Sequence, residues 1–120
     1  MNEVAQSYAD RLAEMNQMIH SLNGYGENLF HCRTGTPDKV DKCEIVKKAI
    51  ASWYNESSVY DWGYPGFTST TGHFTQLVWK ETSTFGIGIA SNSKGSTYVV
   101  ANYDPEGNYT GGYADNVTNS

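Results

Sequence analysis

Apolar residues at helical spacing run through the first 22 residues of the chain. Steps of three or four residues separate six of them: Val4, Tyr8, Leu12, Met15, Ile19 and Leu22. This spacing is typical of an amphipathic helix with one face against a core, and Gly24 is a helix-ending residue just beyond it. The pattern therefore predicts a helix over residues 3–22.

A second helix is predicted over residues 41–57. Asp41 and Glu44 have the spacing of a capping box, and four residues follow at helical spacing: Cys43, Val46, Ile50 and Trp53. Between the two helices, glycines precede an apolar-ended segment, which predicts a short strand over residues 27–30. Residues 32–40 are expected to form a loop.

The second half of the chain predicts a loop, a short helix and a hairpin. Residues 60–72 are aromatic and turn-rich, so we expect a loop ordered by its rings. Thr71 is placed to cap a short helix that carries His73. Residues 84–104 predict an antiparallel hairpin with a turn over residues 92–95. The tail from Glu106 is expected to be irregular and pinned to the body by three apolar side chains: Tyr109, Tyr113 and Val117.

Composition narrows the class of protein. A chain of 120 residues is expected to be one domain, with tyrosine and tryptophan supplying much of its buried area. The net charge of −5 comes without a basic stripe, which argues against a nucleic-acid partner. No apolar run reaches the roughly 18 residues of a membrane span, and no signal-peptide pattern is seen. Cys32 and Cys43 allow a single disulfide and leave the redox compartment open.

Histidines and glutamates are the candidate chemical groups. Histidine occurs at positions 20, 31 and 73, in a spacing that matches no closed zinc motif. His20 has a structural alternative, since an imidazole near a helix C-terminus interacts with the helix dipole. Glu27 lies in an apolar segment, and Glu56 follows Trp53 on the inward side of its helix. Carboxylates turned partly inward need partners, which imidazoles or a metal ion would supply.

Three sequence blocks in register carry a family resemblance. They are GENL at 26–29, GHFTQLVWK at 72–80 and YVVANYDPEGN at 98–108, with WYNE at 53–56 between the first two. Together they resemble the signature blocks of the CAP superfamily of cysteine-rich secretory, antigen 5 and pathogenesis-related proteins. The resemblance covers nearly the whole chain.

The resemblance implies a fold and a site. The fold is of the α/β (α+β) class, a three-layer α-β-α sandwich with a central antiparallel sheet, formed by residues 1–120 as one domain. The family tetrad corresponds to His20, Glu27, Glu56 and His73. In the family the two imidazoles hold a divalent cation, commonly zinc, which the fold does not require. His31 matches no tetrad position.

The aromatic loop offers a ligand site. Tyr60, Trp62 and Phe67 have the spacing of the caveolin-binding motif, which overlaps a sterol-binding loop in yeast members of the family. Packing of the rings against the sheet is the structural alternative. The first functional hypothesis is therefore a binding protein for sterols or fatty acids that meets membranes or protein partners.

Two further functions remain open. A metal-dependent hydrolase would hold zinc on His20 and His73 and activate water with Glu27 or Glu56. No assured nucleophile or oxyanion donor is evident, so a non-enzymatic role is favoured. The third hypothesis is a secreted defence or effector protein. The resemblance divides localisation between secreted members, slightly favoured, and a Golgi-associated group on the cytosolic face of membranes.

One departure from the family concerns the beginning of the chain. Family domains start with a further helix, carrying a His-Asn-x-x-Arg-like motif, before the helix predicted here at 3–22. The expectation is a domain truncated at its N-terminus, with an apolar patch left bare and with reduced stability or self-association as the result.

Overall fold

Within the residues that the computed structural model describes, 1–35 and 41–118, three antiparallel strands form a central sheet. The strands are β1 (Gly26–Arg33), β2 (Thr84–Ser91) and β3 (Ser96–Asp104), in the order β1-β3-β2. The short predicted strand and the predicted hairpin are confirmed, although β1 continues to Arg33 into the predicted loop. Glu27 lies opposite Asn102 in the pairing of β1 with β3.

Helices cover both faces of the sheet. Helix α1 (Asn2–Met15) buries Ala5, Ala9 and Leu12 against one face, where Tyr98 and Val100 contribute from β3. Helix α2 (Lys42–Asn55) covers the other face, and its buried side chains meet the alternate residues of β3. That second cluster contains Ile45, Ala49, Trp53, Val99, Ala101 and Tyr103. The predicted α-β-α sandwich is confirmed.

Helix α1 lies unusually close to strand β2 because that strand carries glycine. A Cβ atom at Gly88 would overlap the backbone of Gln6, so a larger residue would push the helix away. Gln6 also closes the strand edge, since its Oε1 accepts from Ile89 N at 3.0 Å and its Nε2 donates to Ile89 O at 2.8 Å. Asn2 Oδ1 accepts from Ile87 N in the same way, at 3.0 Å. These side chains occupy backbone groups that an edge strand would otherwise present to another chain.

The first helix ends at Met15, and the prediction that it continues to residue 22 is wrong. Asn16 adopts the left-handed conformation with φ 53°, which asparagine tolerates better than most residues. Its Oδ1 accepts from Asn92 Nδ2 at 2.8 Å, which ties the turn to the β2–β3 connection. Ile19 and Leu22 continue the apolar spacing but are 49% and 95% exposed. Residues 16–25 therefore form an irregular connection to β1.

The elements after β1 lead to the second half of the site. Asp41 Oδ1 accepts from Glu44 N at 3.3 Å, so the predicted start of α2 is confirmed. A 3₁₀ turn, Glu56–Val59, follows α2 directly, and helix α3 spans Gly72–Leu77. Thr71 precedes α3 but makes no side-chain capping bond, because its hydroxyl pairs with that of Thr68 at 2.6 Å. The predicted hydroxyl cap is wrong.

Aromatic rings order the predicted loop and pin part of the tail. Tyr60 contacts both Trp62 and Phe74 through its ring. The short helix α4 (Tyr113–Asn116) adds Tyr113 to this third buried cluster, together with Trp79 and Val117. Tyr109 is 45% exposed, but its ring lies 5.2 Å from that of Trp79, so all three predicted side chains contact the body. The expectation of a wholly irregular tail is wrong, because residues 113–116 form α4.

Two absences among the described residues bear on the sequence predictions. Cys32 and Cys43 are both free thiols, so the single disulfide that the sequence allows is not formed. Burial raises the pKa of the Cys32 thiol. In the described part of the chain, no helix has the length and hydropathy needed to cross a bilayer.

Candidate functional site: a cleft with two histidine–glutamate pairs

The first pair joins the irregular connection to strand β1. His20 Nδ1 lies 2.8 Å from Glu27 Oε1. The histidine side chain is 62% exposed, whereas the glutamate side chain is only 5% exposed. Glu27 is positioned by its strand, and His20 reaches it from a segment that has no regular hydrogen bonding of its own.

Further donors surround the Glu27 carboxylate. Ser21 donates its backbone N–H to Oε1 at 2.9 Å and its hydroxyl to Oε2 at 2.5 Å. Asn102, on the neighbouring strand, donates through Nδ2 to Oε2 at 3.3 Å. With His20, the carboxylate has four partner groups, so its burial is compensated by hydrogen bonding.

The second pair joins α3 to the end of α2. His73 Nδ1 lies 2.8 Å from Glu56 Oε2, and Phe74 donates its backbone N–H to Glu56 Oε1 at 2.9 Å. The ring of His73 stacks on buried Trp53, with centroids 6.1 Å apart and planes 16° from parallel. Trp53 is itself fixed by its indole N–H, which donates to Leu29 O at 3.2 Å. His73 is 37% exposed on its side chain.

One cavity of about 250 Å³ brings members of both pairs together. His20, Glu27 and His73 line it, along with Asn28, Phe67, Ser69, Gly72 and Asn108. Glu56 is not part of the lining and holds His73 from behind. A larger groove of about 570 Å³ adjoins this cavity through His20, Glu27 and Asn108. Three of the four residues predicted as a tetrad thus line one cleft, and the fourth, Glu56, contacts His73 without reaching the cavity.

Comparison with known families decides which family the chain belongs to, since residues 1–103 match the model of the CAP, or cysteine-rich secretory protein, family. The chain belongs to the CAP family. Protein PRY2 of Saccharomyces cerevisiae is 41% identical over 114 residues, which cover 94% of this chain and 31% of the yeast protein. Human Golgi-associated plant pathogenesis-related protein 1 is 40% identical over 126 residues, covering 98% of this chain and 75% of the human protein.

Solved structures agree with this CAP assignment. The crystal structure of NaASP2 with Zn2+ superposes with a TM-score of 0.72 at 28% identity, covering 92% of this chain and 62% of that one. The structure of BmVAL-1 gives a TM-score of 0.70 at 25% identity, covering 88% of this chain and 58% of that one. The chain thus spans less than two-thirds of these two structures.

The chemistry of the CAP cleft fits a two-histidine metal site. Each imidazole uses Nδ1 toward a carboxylate, which leaves Nε2 as the available ligand atom. Each carboxylate faces an imidazole and not the cation position. Among the described residues, no group of three or more His, Cys, Asp or Glu side chains is arranged to hold a metal ion. Water would have to complete the coordination of a cation held by His20 and His73.

The remaining candidate residues lie elsewhere or apart. His31 stays outside the cleft; its ring lies 4.8 Å from that of Tyr98 and its Nε2 is buried without a partner. Tyr60 is buried among the aromatic rings, and Trp62 packs beside it at 39% exposure. Phe67 is 63% exposed, and its ring lies over Gly72 in the wall of the tetrad cavity. The aromatic triplet is thus divided between core packing and the cleft.

The sequence predictions missed several polar residues that hold the cleft. Ser21 and Asn102 bind Glu27 directly. Buried Asn28 donates through Nδ2 to His73 O at 3.0 Å and to Tyr103 Oη at 3.1 Å. Asn108 donates to Gly72 O at 2.9 Å and accepts from Thr75 Oγ1 at 2.5 Å, which fastens the start of α3. Asparagine at inward strand positions was the available signal, because a buried amide needs partners.

Tyr8 supports the irregular connection from α1. Its hydroxyl donates to Ile19 O at 2.5 Å. Burial raises the pKa of the Tyr8 hydroxyl, and the negative charge of Glu27 raises it further, against an opposing effect from Arg11. The phenol therefore remains a neutral donor that holds the residue before His20.

Proposed function

We propose that this CAP domain is a binding protein whose cleft holds a divalent cation, Zn²⁺ being the natural probe, through Nε2 of His20 and His73. The observation that carries the proposal is the pairing of each Nδ1 with a glutamate carboxylate at 2.8 Å. Carboxylates in this position fix the tautomer and the orientation of ligating histidines and increase their basicity. A cation held there would act as a Lewis acid toward a group entering the cleft.

The same contacts favour binding over hydrolysis. A general base needs a free lone pair within reach of the proton that it removes. Besides its histidine partner, Glu27 accepts from three groups of two residues, the backbone N–H and hydroxyl of Ser21 and the side-chain amide of Asn102. Glu56 accepts from the backbone N–H of Phe74 and also faces His73. Both carboxylates thus form hydrogen bonds that hold the cleft together, which supports a role as partners of the metal-binding histidines rather than as catalytic bases.

Calorimetric titration of Zn²⁺ tests the cation site. Wild-type protein should bind one equivalent, His20→Ala and His73→Ala should each weaken binding, and the double variant should lose it. His31→Asn is the matched control, because it removes the remaining histidine away from the cleft. Binding that persists in the double variant would refute the site. Metal-dependent peptide or ester hydrolysis that the double variant abolishes would favour the hydrolase hypothesis instead.

A second candidate is a small apolar ligand, such as a sterol or a fatty acid, bound beside the tetrad. The observation that favours it is Phe67, a largely exposed aromatic ring in the cavity wall. Pockets for such ligands are mostly apolar with a few polar groups that fix orientation. Membrane surfaces or protein partners could present ligands of this kind.

Binding of radiolabelled cholesterol and of a fluorescent fatty acid tests this candidate. Phe67→Ala should weaken binding several-fold, and Trp62→Ala should have a smaller effect because Trp62 packs on the aromatic cluster. Tyr64→Ala is the control, since Tyr64 lies in the same loop at 82% exposure. Equal affinity in the wild type and in Phe67→Ala would show that the loop does not form the ligand site.

A further inference from the structure

The residue after His20 connects the irregular segment to the sheet through two hydrogen bonds. Ser21 donates to Glu27 through its backbone N–H and through its hydroxyl. Residues 16–25 contain no helix or strand before Gly26, and two non-glycine residues there, Asn16 and Leu22, have positive φ. His20 is therefore positioned by the contacts of its neighbours rather than by regular structure.

The second pair shows what the serine hydroxyl adds. Glu56 binds both His73 and the backbone N–H of the following residue, Phe74, just as Glu27 binds His20 and Ser21 N. His73 is supported further by its position in helix α3 and by the stacked ring of Trp53. At His20 the described residues provide no helix or stacked tryptophan, and the second oxygen of the carboxylate is held by the hydroxyl of Ser21 at 2.5 Å and by the longer 3.3 Å bond from Asn102 Nδ2.

From this geometry we infer that Ser21 is a positioning residue for the cleft: its hydroxyl locks the Glu27 carboxylate so that Glu27 orients His20 with Nδ1 protonated and Nε2 directed to the ligand. This rests on the proposed cation site in naming what Nε2 binds. The orientation of His20 by Ser21 is nevertheless a property of the metal-free protein, so it can be measured separately.

The nitrogen chemical shifts of the histidine rings provide that separate test. In ¹⁵N NMR spectra of metal-free protein at a fixed, mildly alkaline pH, His20 should show the Nδ1–H tautomer in the wild type. Ser21→Ala should shift His20 toward a mixture of tautomers and leave His73 unchanged in the same spectrum. Ser21→Thr, which keeps the hydroxyl, should restore the wild-type shifts. Ser83→Ala is the control, because its hydroxyl makes only a 3.4 Å contact with Asp104 O.

Zinc affinity, measured by competition with a chromogenic chelator, is the second readout. Ser21→Ala should weaken binding about tenfold, at the low end of what outer partners of metal ligands contribute, and Ser21→Thr should recover most of it. Unchanged His20 tautomers in Ser21→Ala, or equal shifts at His20 and His73, would overturn the inference. If wild-type protein bound no zinc, the proposed cation site would fail, and the tautomer measurement alone would decide the role of Ser21.

Discussion

The two histidines of the cleft are held by the same contact on different scaffolds. In each pair, a glutamate faces the imidazole Nδ1 at 2.8 Å and accepts from the backbone N–H of the next residue at 2.9 Å. His73 lies in helix α3 against a buried tryptophan, whereas His20 lies in an irregular connection and is 62% exposed.

This difference determines where each pair is vulnerable. Helix hydrogen bonds, ring stacking and the clamp of Asn108 on the start of α3 all support His73. His20 relies on polar contacts of its own segment, chiefly those of Ser21 with Glu27 and of Tyr8 with Ile19. The contacts of the second pair should therefore break only when the core unfolds, whereas those of the first pair should break when residues 16–25 open locally.

The largest effect should come from removing the ring behind His73. Trp53→Ala leaves a cavity at a side chain that is 2% exposed and removes the N–H bond to Leu29 O. Large aromatic-to-alanine changes in a core cost about 3–5 kcal/mol, and we expect about 4 kcal/mol here, measured by urea unfolding. Trp53→Phe keeps a ring and should lose far less. A loss below about 1 kcal/mol in Trp53→Ala would contradict the view that the second pair is built on the core.

Neutralising the glutamates should reveal the asymmetry between the pairs. Glu27→Gln replaces one acceptor oxygen with an amide NH₂ that faces another donor in either orientation, Asn102 Nδ2 at the Oε2 position or Ser21 N at the Oε1 position. We therefore expect a loss of about 2 kcal/mol, given the value of hydrogen bonds to charged groups. In hydrogen exchange, the Ser21 amide should lose its protection while the core strands keep theirs.

Glu56→Gln is the matched change on the other pair. Because α3 and Trp53 still support His73, Glu56→Gln should cost less stability than Glu27→Gln. The Phe74 amide should keep most of its protection. Equal losses of stability and of amide protection in the two variants would show that the scaffolds do not differ as described.

Changing Asn16, which ends α1 and begins the segment that carries the first pair, should cost less stability than Glu27→Gln. Asn16→Ala forces a Cβ-bearing residue with no polar group into the left-handed conformation at φ 53° and loses the bond from Asn92. The left-handed conformation costs roughly 1–2 kcal/mol, and we expect a loss near 1 kcal/mol by thermal unfolding. Asn16→Gly relieves the backbone cost but not the lost side-chain bond, so it should be intermediate. Greater stability of Asn16→Ala than of wild type would mean that residues 16–22 favour the predicted longer helix.

Local patterns predicted most of the fold, and one of them predicted too much. Alternation and turn residues predicted the hairpin, since the information lies within a few residues of the turn. The apolar spacing through Ile19 and Leu22 predicted a helix that stops at Met15, because the end depends on the contact of Asn16 with Asn92, 76 positions away. Periodicity carries no record of such a tertiary contact.

The site was predicted through the family resemblance rather than through spacing. His20 and Glu27 are seven residues apart, and His73 and Glu56 are 17 apart, so their pairing depends on the sheet and its connections. Ser21 escaped prediction because it is an ordinary polar residue until the fold places it against Glu27, whereas an inward strand position marks Asn102 as a buried amide without naming Glu27 as its partner. The aromatic triplet was predicted as one unit, and the structure divides it.

The smallest expected effect concerns the tail that supports the second pair from outside. Glu81 accepts from Asn116 Nδ2 at 3.0 Å and from Tyr109 Oη at 2.8 Å, and these hydrogen bonds lower the pKa of its carboxyl. Since the folded pKa lies below the unfolded one, the stabilisation is present above the unfolded value and is lost as the pH falls through the folded value. Below about pH 4 the tail should therefore loosen.

Thermal unfolding of wild type and Glu81→Gln across pH 2.5–7 measures this effect. The variant should show a shallower loss of stability on the acid side, whereas Glu106→Gln, at an exposed carboxylate of the same tail, should follow the wild type. Because Asn108 in this tail fastens the start of α3, acid should also raise hydrogen exchange near Gly72 before it affects β3. If the stability of wild type and of Glu81→Gln fell equally between pH 7 and pH 2.5, the hydrogen bonds of Glu81 would contribute nothing pH-dependent. The support of the second pair would then come from the core alone.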